Sequence, residues 1–379
     1  MKRSFWKNKV VFITGLTGFV GSALARRLLE GGARVIGLVH RDHTLRHFEK
    51  SDLKDRVKVV RGSLGDLKLL ERTLRSHKVE IVYHLAAQAI VGKANQDPLP
   101  TFESNIQGTW NLLEACRRVR ERKMGTVLFF LRKNRTVPIF PFAVVVASSD
   151  KAYGTHKRLP YREDFPLQPD YPYDVSKACA DMIAMSYHKT FGLPVVVTRF
   201  ANIYGPGDMN FSRIVPDTLR SVLRGKRPVL RSDGTPERDY LYVDDVVDLY
   251  RVLAERIGKT KGEVFNAGHN KPVSVLSLVE TILRLAGRGD LKPIIKGRKK
   301  LHGEIDRQWM DGKKAEKLLG WKPRVDLKTG LRKTISWYAA LDGLPARVRL
   351  ELLKGSLVSP ASRTGHLQET RRASLGAAG

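Results

Sequence analysis

The sequence predicts an α/β fold, a doubly wound parallel sheet followed by a smaller C-terminal region. Three observations predict it. Short apolar strands alternate with amphipathic helices through the first half of the chain. A glycine-rich turn, GLTGFVG at 15–21, joins the first strand directly to the first helix. After residue 200 the alternation loosens into Gly- and Pro-rich turns, YGPGD and RSDGTPERD, set between helices.

The strands follow from short Val- and Ile-rich runs: 10–14 (VVFIT), 34–39 (RVIGLV), 57–60 (VKVV), 81–85 (IVYHL), 143–147 (AVVVA) and 195–198 (VVVT). Between them, 19–30, 67–75, 106–118 and 173–191 repeat their apolar residues at helical spacing. Right-handed crossovers then bring the C-terminal end of every strand to one edge of the sheet, where ligands bind. Beyond residue 200, helices at 214–224, 244–257 and 275–285 build the smaller region, with some segments returning to the first. The division read from this pattern is 1–199, then 200–341, then a disordered tail at 342–379 rich in Ser, Ala, Gly and Arg. No internal repeat is evident.

One connection breaks the rhythm. The segment near 119–142, containing RERKMGTVLFFLRKNRTVPIFPF, is an unusually long crossover. It precedes a strand, so it is expected at the edge opposite the ligands and remote from chemistry. An extra strand, an association surface or a sequence irregularity would each account for it.

Composition narrows the class. A chain of 379 residues with 42% apolar content can bury a sizeable core. The two cysteines, Cys116 and Cys179, form no CxxC and exclude a disulfide framework, which points to a reducing, cytoplasmic compartment. The first apolar run, VVFITG, is too short for a signal-peptide core. The longest uncharged stretch, 136–149, contains Pro138 and Pro141 and falls short of the ~20 residues a membrane span needs. The formal charge of +30 is spread along the chain, with clusters at 117–123 and 297–300. It admits an anionic partner or, more simply, a solvated basic surface with no specific nucleic-acid partner. His40, His43 and His47 form a histidine-rich segment, but no cysteine or carboxylate ligand set completes a metal site.

GLTGFVG supplies the first functional reading. Gly15 permits a tight turn, Gly18 lets the backbone approach a pyrophosphate, and Gly21 lets the helix pack on the strand. Thr17, Phe19 and Val20 complete the turn and the helix start, whose free N–H groups suit an anion. In its strand–turn–helix context this reads as a Rossmann-type dinucleotide site, the plain alternative being a simple glycine turn. Asp66, followed by Leu67, would accept a hydrogen bond from an adenine amine, or simply cap a helix. Leu85, Ala86 and Ala87 of HLAAQ supply small residues where the cofactor passes, or ordinary core packing. The second strand ends LVHRD: Asp42 there suits the ribose of NAD, whereas Arg41 suits the phosphate of NADP, and both readings stay open.

Two further segments carry the chemistry. ASSDKAYG contributes Ser149, Asp150 and Lys151, and PYDVSKA contributes Tyr173 and Lys177 four residues apart on one helical face. A phenol of pKa ~10 is a poor base at neutral pH. The Lys177 ammonium would stabilise the phenolate and bind the nicotinamide ribose, and Ser149 would hydrogen-bond the reacting oxygen. The plain alternative for Asp150-Lys151 is a surface turn after a strand.

At these residues the chain resembles the extended short-chain dehydrogenase/reductases that act on nucleotide sugars. The likeness covers roughly residues 5–340 and runs through GLTGFVG, HLAAQ, SSDKAYG, YDVSK, ANIYGPGD, RDYLYVDD and LGWKP. FWKNK, SSDKAYG, NFSRIVP and RSDGTPERDY point within that family to the CDP-glucose 4,6-dehydratase branch. The resemblance implies that Tyr173 takes the proton of the sugar's 4-hydroxyl while C4 gives hydride to NAD. The 4-ketone acidifies C5–H, water leaves across C5 and C6, and the hydride returns to C6. Asp150 would be the acid for the departing hydroxyl. Many relatives place a glutamate base where this chain has Lys151. Lys151 would act as base if desolvation and Lys177 lower its pKa, or would steady the enolate instead. Epimerases of the same fold keep the serine, tyrosine and lysine but generally lack this pair. By the same resemblance Gln88, Asn202, Arg213, Arg238 and Arg307 would hold the nucleotide-diphosphate hexose, arginine forks suiting phosphate oxygens. Helices near 106–118 and 173–191 would form the seam of a homodimer. A 4-epimerase or reductase on the same scaffold, and a polyanion- or RNA-binding relative, are the competing readings.

Overall fold

The computed structural model describes residues 4–40, 52–131 (side chains to 121), 143–297 and 305–340. In chain order the first strands are β1 Val10–Thr14, β2 Arg34–Val39, β3 Lys58–Arg61, β4 Ile81–His84, β5 Ala143–Ala147 and β6 Val195–Phe200. Shorter strands follow: β7 Asn202–Tyr204, β8 Val229–Leu230, β9 Glu237–Arg238, β10 Tyr240–Tyr242, β11 Val264–Ala267, β12 Val273–Ser274, β13 Ile294–Ile295 and β14 Arg307–Gln308. Seven of these form one sheet in the order β11-β6-β5-β4-β1-β2-β3, every pair parallel.

The chain enters this sheet at β1, winds outward to β3, then returns to β4 and winds the other way. The order therefore reverses between β1 and β4, and a crevice opens beyond their C-terminal ends. All five residues of β1 and all six of β6 are buried, because helices cover both faces. Val11 and Ile13 point into one core with Leu24 and Leu28 of the Phe19–Glu30 helix and Val246 and Leu253 of the Val243–Glu255 helix. Val10 and Phe12 point into the other, with Leu70 of the Leu67–Ser76 helix and Leu112 of the Gly108–Leu131 helix. Each such side chain, fully buried, contributes about 1.5–3 kcal/mol of burial.

Several elements differ from the sequence expectation. The helix expected to end near residue 118 continues to Leu131. Arg117 pairs with Glu114 at 2.7 Å and Glu121 at 2.6 Å, Arg118 pairs with Glu114 at 2.7 Å, and no proline interrupts before Pro138. Ahead of it lie short turns the periodicity did not reveal: Val91–Gln96, Leu99–Phe102 and a π-helical turn at Glu103–Gln107. The third strand is shifted by one residue, and the sixth runs on to Phe200. β11, from the second half, adds the sheet's edge beside β6, and the Leu327–Ala339 helix, capped by Asp326, packs against the Val275–Leu285 helix. The expected tail, most of the long 119–142 segment beyond its helical part, and Arg41, Asp42, His43 and His47 lie outside the described residues.

Candidate active site

The glycine turn sits at the crevice. Gly15 adopts φ +77°, and a Cβ there would lie 2.8 Å from the Ala86 nitrogen. At Gly21 a Cβ would lie 2.1 Å from the Gly15 carbonyl oxygen, so the first helix can approach the turn only without one. Gly18 caps that helix with no side-chain hydrogen bond. The first-turn N–H groups beginning at Phe19 and Val20 are therefore free for an anion. Thr17 stands half-buried in the turn, and the backbone of Leu85 and Ala86, followed by Ala87, lies against Gly15. Donors without a cap, next to backbone that admits no side chain, fit a dinucleotide's pyrophosphate. Asp66 is exposed and uses Oδ1 to accept the Leu69 N–H at 2.9 Å, so the cap reading accounts for that oxygen; Leu67 opens the same helix.

A buried polar network ties this turn to the helix behind it. His84 Nδ1 meets Thr14 Oγ1 at 2.8 Å and its Nε2 meets Thr109 Oγ1 at 2.9 Å. Burial, reinforced by the nearby Lys177 charge, pushes the imidazole pKa down to about 3, so the ring is neutral. Asn105, from the π-helical turn, accepts the Gln88 N–H at 2.8 Å and donates to Ser176 Oγ at 2.9 Å. Ser176 in turn donates to the Tyr173 carbonyl at 2.7 Å. Gln88's own amide is engaged within its loop, with Ile90 on both ends and with Thr101 Oγ1.

The Pro172–Phe191 helix begins with proline in its first turn and ends at Gly192 in the left-handed conformation. Tyr173 and Lys177 lie one turn apart on its buried face. A bidentate ion pair anchors the helix: Arg199 of β6 donates to both Asp181 oxygens at 2.8 and 3.1 Å, and to the Tyr153 hydroxyl at 2.8 Å. Tyr153 closes the 3-10 turn Asp150–Tyr153, so one arginine joins helix, sheet and this turn. Ser149 precedes that turn. Its hydroxyl accepts the Lys151 N–H at 3.2 Å and donates to Asp150 Oδ1 at 2.9 Å, and it acts on the Tyr173 phenol, favouring the phenolate.

Ser149, Asp150, Lys151, Tyr173 and Lys177 thus share one small site. Asp150 is only 5% exposed, which rules out a solvated surface turn. Burial raises its pKa, while Lys151, Ser149 and Arg238 pull the other way. Burial likewise pushes the Tyr173 phenol up to about 12, opposed by the Arg213 charge. Lys177 is pushed down to about 8 by burial, with Asp181 opposing, and its Nζ donates to the Ala147 carbonyl at 2.6 Å.

From the second half of the chain, Arg213 pairs with Asp208 at 3.2 Å. Arg238 is buried and donates to the Glu237 and Asp306 carbonyls at 2.8 and 3.2 Å. Asn202 is half-buried in β7 beside β10. Arg307 is not brought to the site: it is exposed and pairs with Glu237 at 2.8 Å.

Two groups here escaped the sequence reading. Asp174, adjoining Tyr173, is buried, and its Oδ1 has no hydrogen-bond partner. Burial pushes its pKa up to about 6 from the ordinary 3.8, with Lys151 opposing. Gln308 is buried with both amide atoms unpartnered. Asp174 lies inside PYDVSKA, but only its Tyr173 and Lys177 carry a reading there; Gln308 lies in none of the quoted motifs. The Asp174 shift has a thermodynamic consequence. A carboxyl whose folded pKa exceeds its unfolded one favours folding at low pH and loses that contribution as pH rises through about 6. Asp174→Asn removes the titration. Chemical denaturation should therefore show a stability difference, variant minus wild type, that grows by about 1–3 kcal/mol between pH 4 and pH 8. A pH-independent difference would contradict the assignment.

The sequence matches the family model described as GDP-mannose 4,6 dehydratase over residues 12–334. It is 31% identical over 355 residues to the CDP-glucose 4,6-dehydratase of Salmonella typhimurium, covering 89% of this chain and 92% of that protein. It is 28% identical over 336 residues to a UDP-glucuronate 4-epimerase of Thermodesulfobacterium geofontis, covering 86% and 94%. Among solved structures, it superimposes on a dTDP-glucose 4,6-dehydratase of Streptomyces venezuelae, determined with NAD bound, at a TM-score of 0.75. That match has 28% identity and covers 89% of this chain and 99% of the other.

Proposed function

The chain belongs to the GDP-mannose 4,6-dehydratase family of nucleotide-sugar dehydratases and their epimerase relatives, and on that premise we propose that it is an NAD-dependent 4,6-dehydratase whose substrate is CDP-glucose. The observation that carries the reading is Asp150 and Lys151: a buried carboxyl and an amine on the turn that also presents Ser149 to Tyr173. Oxidation and re-reduction at one carbon need only the serine, tyrosine and lysine. Elimination of water needs an additional acid and base.

NAD, when bound, supplies a hydride acceptor at C4 and returns the hydride at C6. The chain's residues do the rest. Gly15, Thr17, Gly18, Phe19, Val20 and Gly21 hold the pyrophosphate, with Leu85, Ala86 and Ala87 alongside. Tyr173 removes the proton from the sugar's 4-hydroxyl, with Ser149 holding that oxygen and the Lys177 ammonium favouring the phenolate. Lys151, as the neutral amine, takes the C5 proton and returns it to C5 when the hydride reaches C6. Asp150 gives its proton to the departing C6 hydroxyl, and water leaves. The product is CDP-4-keto-6-deoxyglucose. Arg213 and Arg238 draw the diphosphate, and Asn202 the sugar-phosphate.

In this reading residues 1–199 bind the cofactor and 200–341 mainly the substrate. Trp110 and Met182 are exposed on the two helices expected at a dimer seam, which supports a homodimer of the enzyme. Two free cysteines, neither disulfide-bonded, fit a reducing cytoplasm.

Similarity to UDP-glucuronate 4-epimerases supports a second reading, in which C4 is oxidised and re-reduced without elimination. Mass spectrometry of products from CDP-, GDP-, dTDP- and UDP-hexoses separates the two. The dehydratase should release a product from CDP-glucose lighter by one water, with no net NADH. An isomer of unchanged mass would establish the epimerase instead, and no product from any hexose would overturn both.

A further inference from the structure

Buried polar groups in native proteins are nearly always hydrogen-bonded, and those that are not need an explanation. Among the described residues, Gln308 alone leaves both ends of its side chain buried and unpartnered: Nε2, a donor, and Oε1, an acceptor. The residue is 1% exposed.

Its direction follows from the strand register. β14 lies parallel to β9, with Arg307 opposite Glu237 and Gln308 opposite Arg238. The Arg307–Glu237 ion pair at 2.8 Å occupies one face of this small sheet. Gln308 and Arg238, one position on, therefore share the other face. This small sheet lies beside the Asp150–Tyr153 turn: the chain just past Gln308 pairs with Tyr161 through Met310, and the Tyr161 ring stacks on Tyr153 at 4.8 Å, while the Arg238 charge acts on Asp150. The backbone beneath is fixed: the Gln308 carbonyl accepts the Asp239 N–H at 3.3 Å, and the Trp309 carbonyl accepts the Tyr161 N–H at 2.9 Å. The amide cannot be relieved by a small shift of its strand.

An amide with donor and acceptor both unused is mismatched to phosphate, which only accepts. It matches a pair of hydroxyl groups, each of which can do either. We propose that Gln308 is a substrate-recognition residue whose amide bridges neighbouring hydroxyls of the hexose ring, beside the diphosphate drawn by Arg238. The inference rests on the nucleotide-hexose reading above. It deepens that reading by assigning sugar recognition to a glutamine in the second half of the chain, outside every motif.

The proposal separates free from bound protein. In the free enzyme the amide is a burden, so an apolar residue of similar length should not destabilise the fold. In the complex the amide is satisfied, so the same substitution should weaken binding. Gln308→Leu in the full chain loaded with NAD should bind CDP-glucose at least about tenfold more weakly, with KM raised in proportion and kcat changed less than threefold. CDP alone, which has no hexose, should bind wild type and variant equally. The melting temperature of the free variant should be unchanged or raised by about 2–4 °C. Gln308→Met serves as a second variant should the leucine disturb folding. Retained affinity for CDP-glucose in a folded variant overturns the assignment, as does an equal loss toward CDP or a lowered melting temperature with unchanged KM. Failure of the wild type to bind any nucleotide hexose overturns the functional reading as well, so the two failures are distinguishable.

Discussion

Tyr173→Phe is expected to lower product formation from CDP-glucose by about 10²–10⁴-fold while NAD binding stays near that of wild type. The substitution removes one hydroxyl from a ring that is 9% exposed, and it leaves the ring's packing in place. Burial holds that hydroxyl's proton tightly, at a pKa of about 12. A phenol in this state becomes a base only through the charges around it. Lys177, with a pKa of about 8, stays cationic through neutral pH, and Arg213 adds a second positive charge. In the proposed mechanism this hydroxyl takes the O4 proton, whatever follows at C5 and C6, and phenylalanine cannot. The pyrophosphate cradle lies on another element, the Gly15–Gly21 turn, so cofactor affinity reports the fold independently. Initial rates by product mass, with bound NAD measured on the same preparation, check both halves. Activity within tenfold of wild type would remove Tyr173 from the mechanism.

The parts of this site legible in the sequence are those whose chemistry depends on local spacing. Gly15, Gly18 and Gly21 declare themselves because a single turn must accommodate strand, helix and anion together. Tyr173 and Lys177 do so because one helical turn separates them. β1, β2 and β5 were readable to the residue because strands buried on both faces are short, nearly continuous apolar runs rich in Val and Ile. What stayed hidden depends on distant register. β11 is only VFNA, too short for periodicity to mark, and it becomes a sheet strand because β6 offers it an edge. Arg307 is named for the substrate by residue type alone, and Gln308 beside it is not named at all. Pairing with β9 reverses that, turning the arginine to solvent and the glutamine inward. Asp174 reads as an ordinary helix-start carboxylate, and only burial among Lys151, Asp150 and Asp170 makes it a perturbed one.

The second large effect belongs to Asp150. Asp150→Asn is expected to slow water loss by about 10²–10⁴-fold while sparing the first oxidation, so that enzyme-bound NADH accumulates after CDP-glucose is added. Asparagine is nearly isosteric and can still accept the Ser149 hydroxyl through its carbonyl oxygen, so the turn should keep its shape. What it cannot do is deliver a proton. The wild-type carboxyl is suited to that task because its pKa is raised by burial, which keeps the proton available. Lys151, Ser149 and Arg238 lower the pKa and stabilise the anion left behind. Opposed influences of this kind place a group where it can both hold and surrender a proton during one turnover. Tyr173, Ser149 and Lys177 are untouched by the change, so C4 should still be oxidised. An enzyme that only epimerises has no departing hydroxyl to protonate, and its rate would barely respond. Bound NADH fluorescence and product mass, read together after mixing, therefore decide between elimination and epimerisation with a single variant.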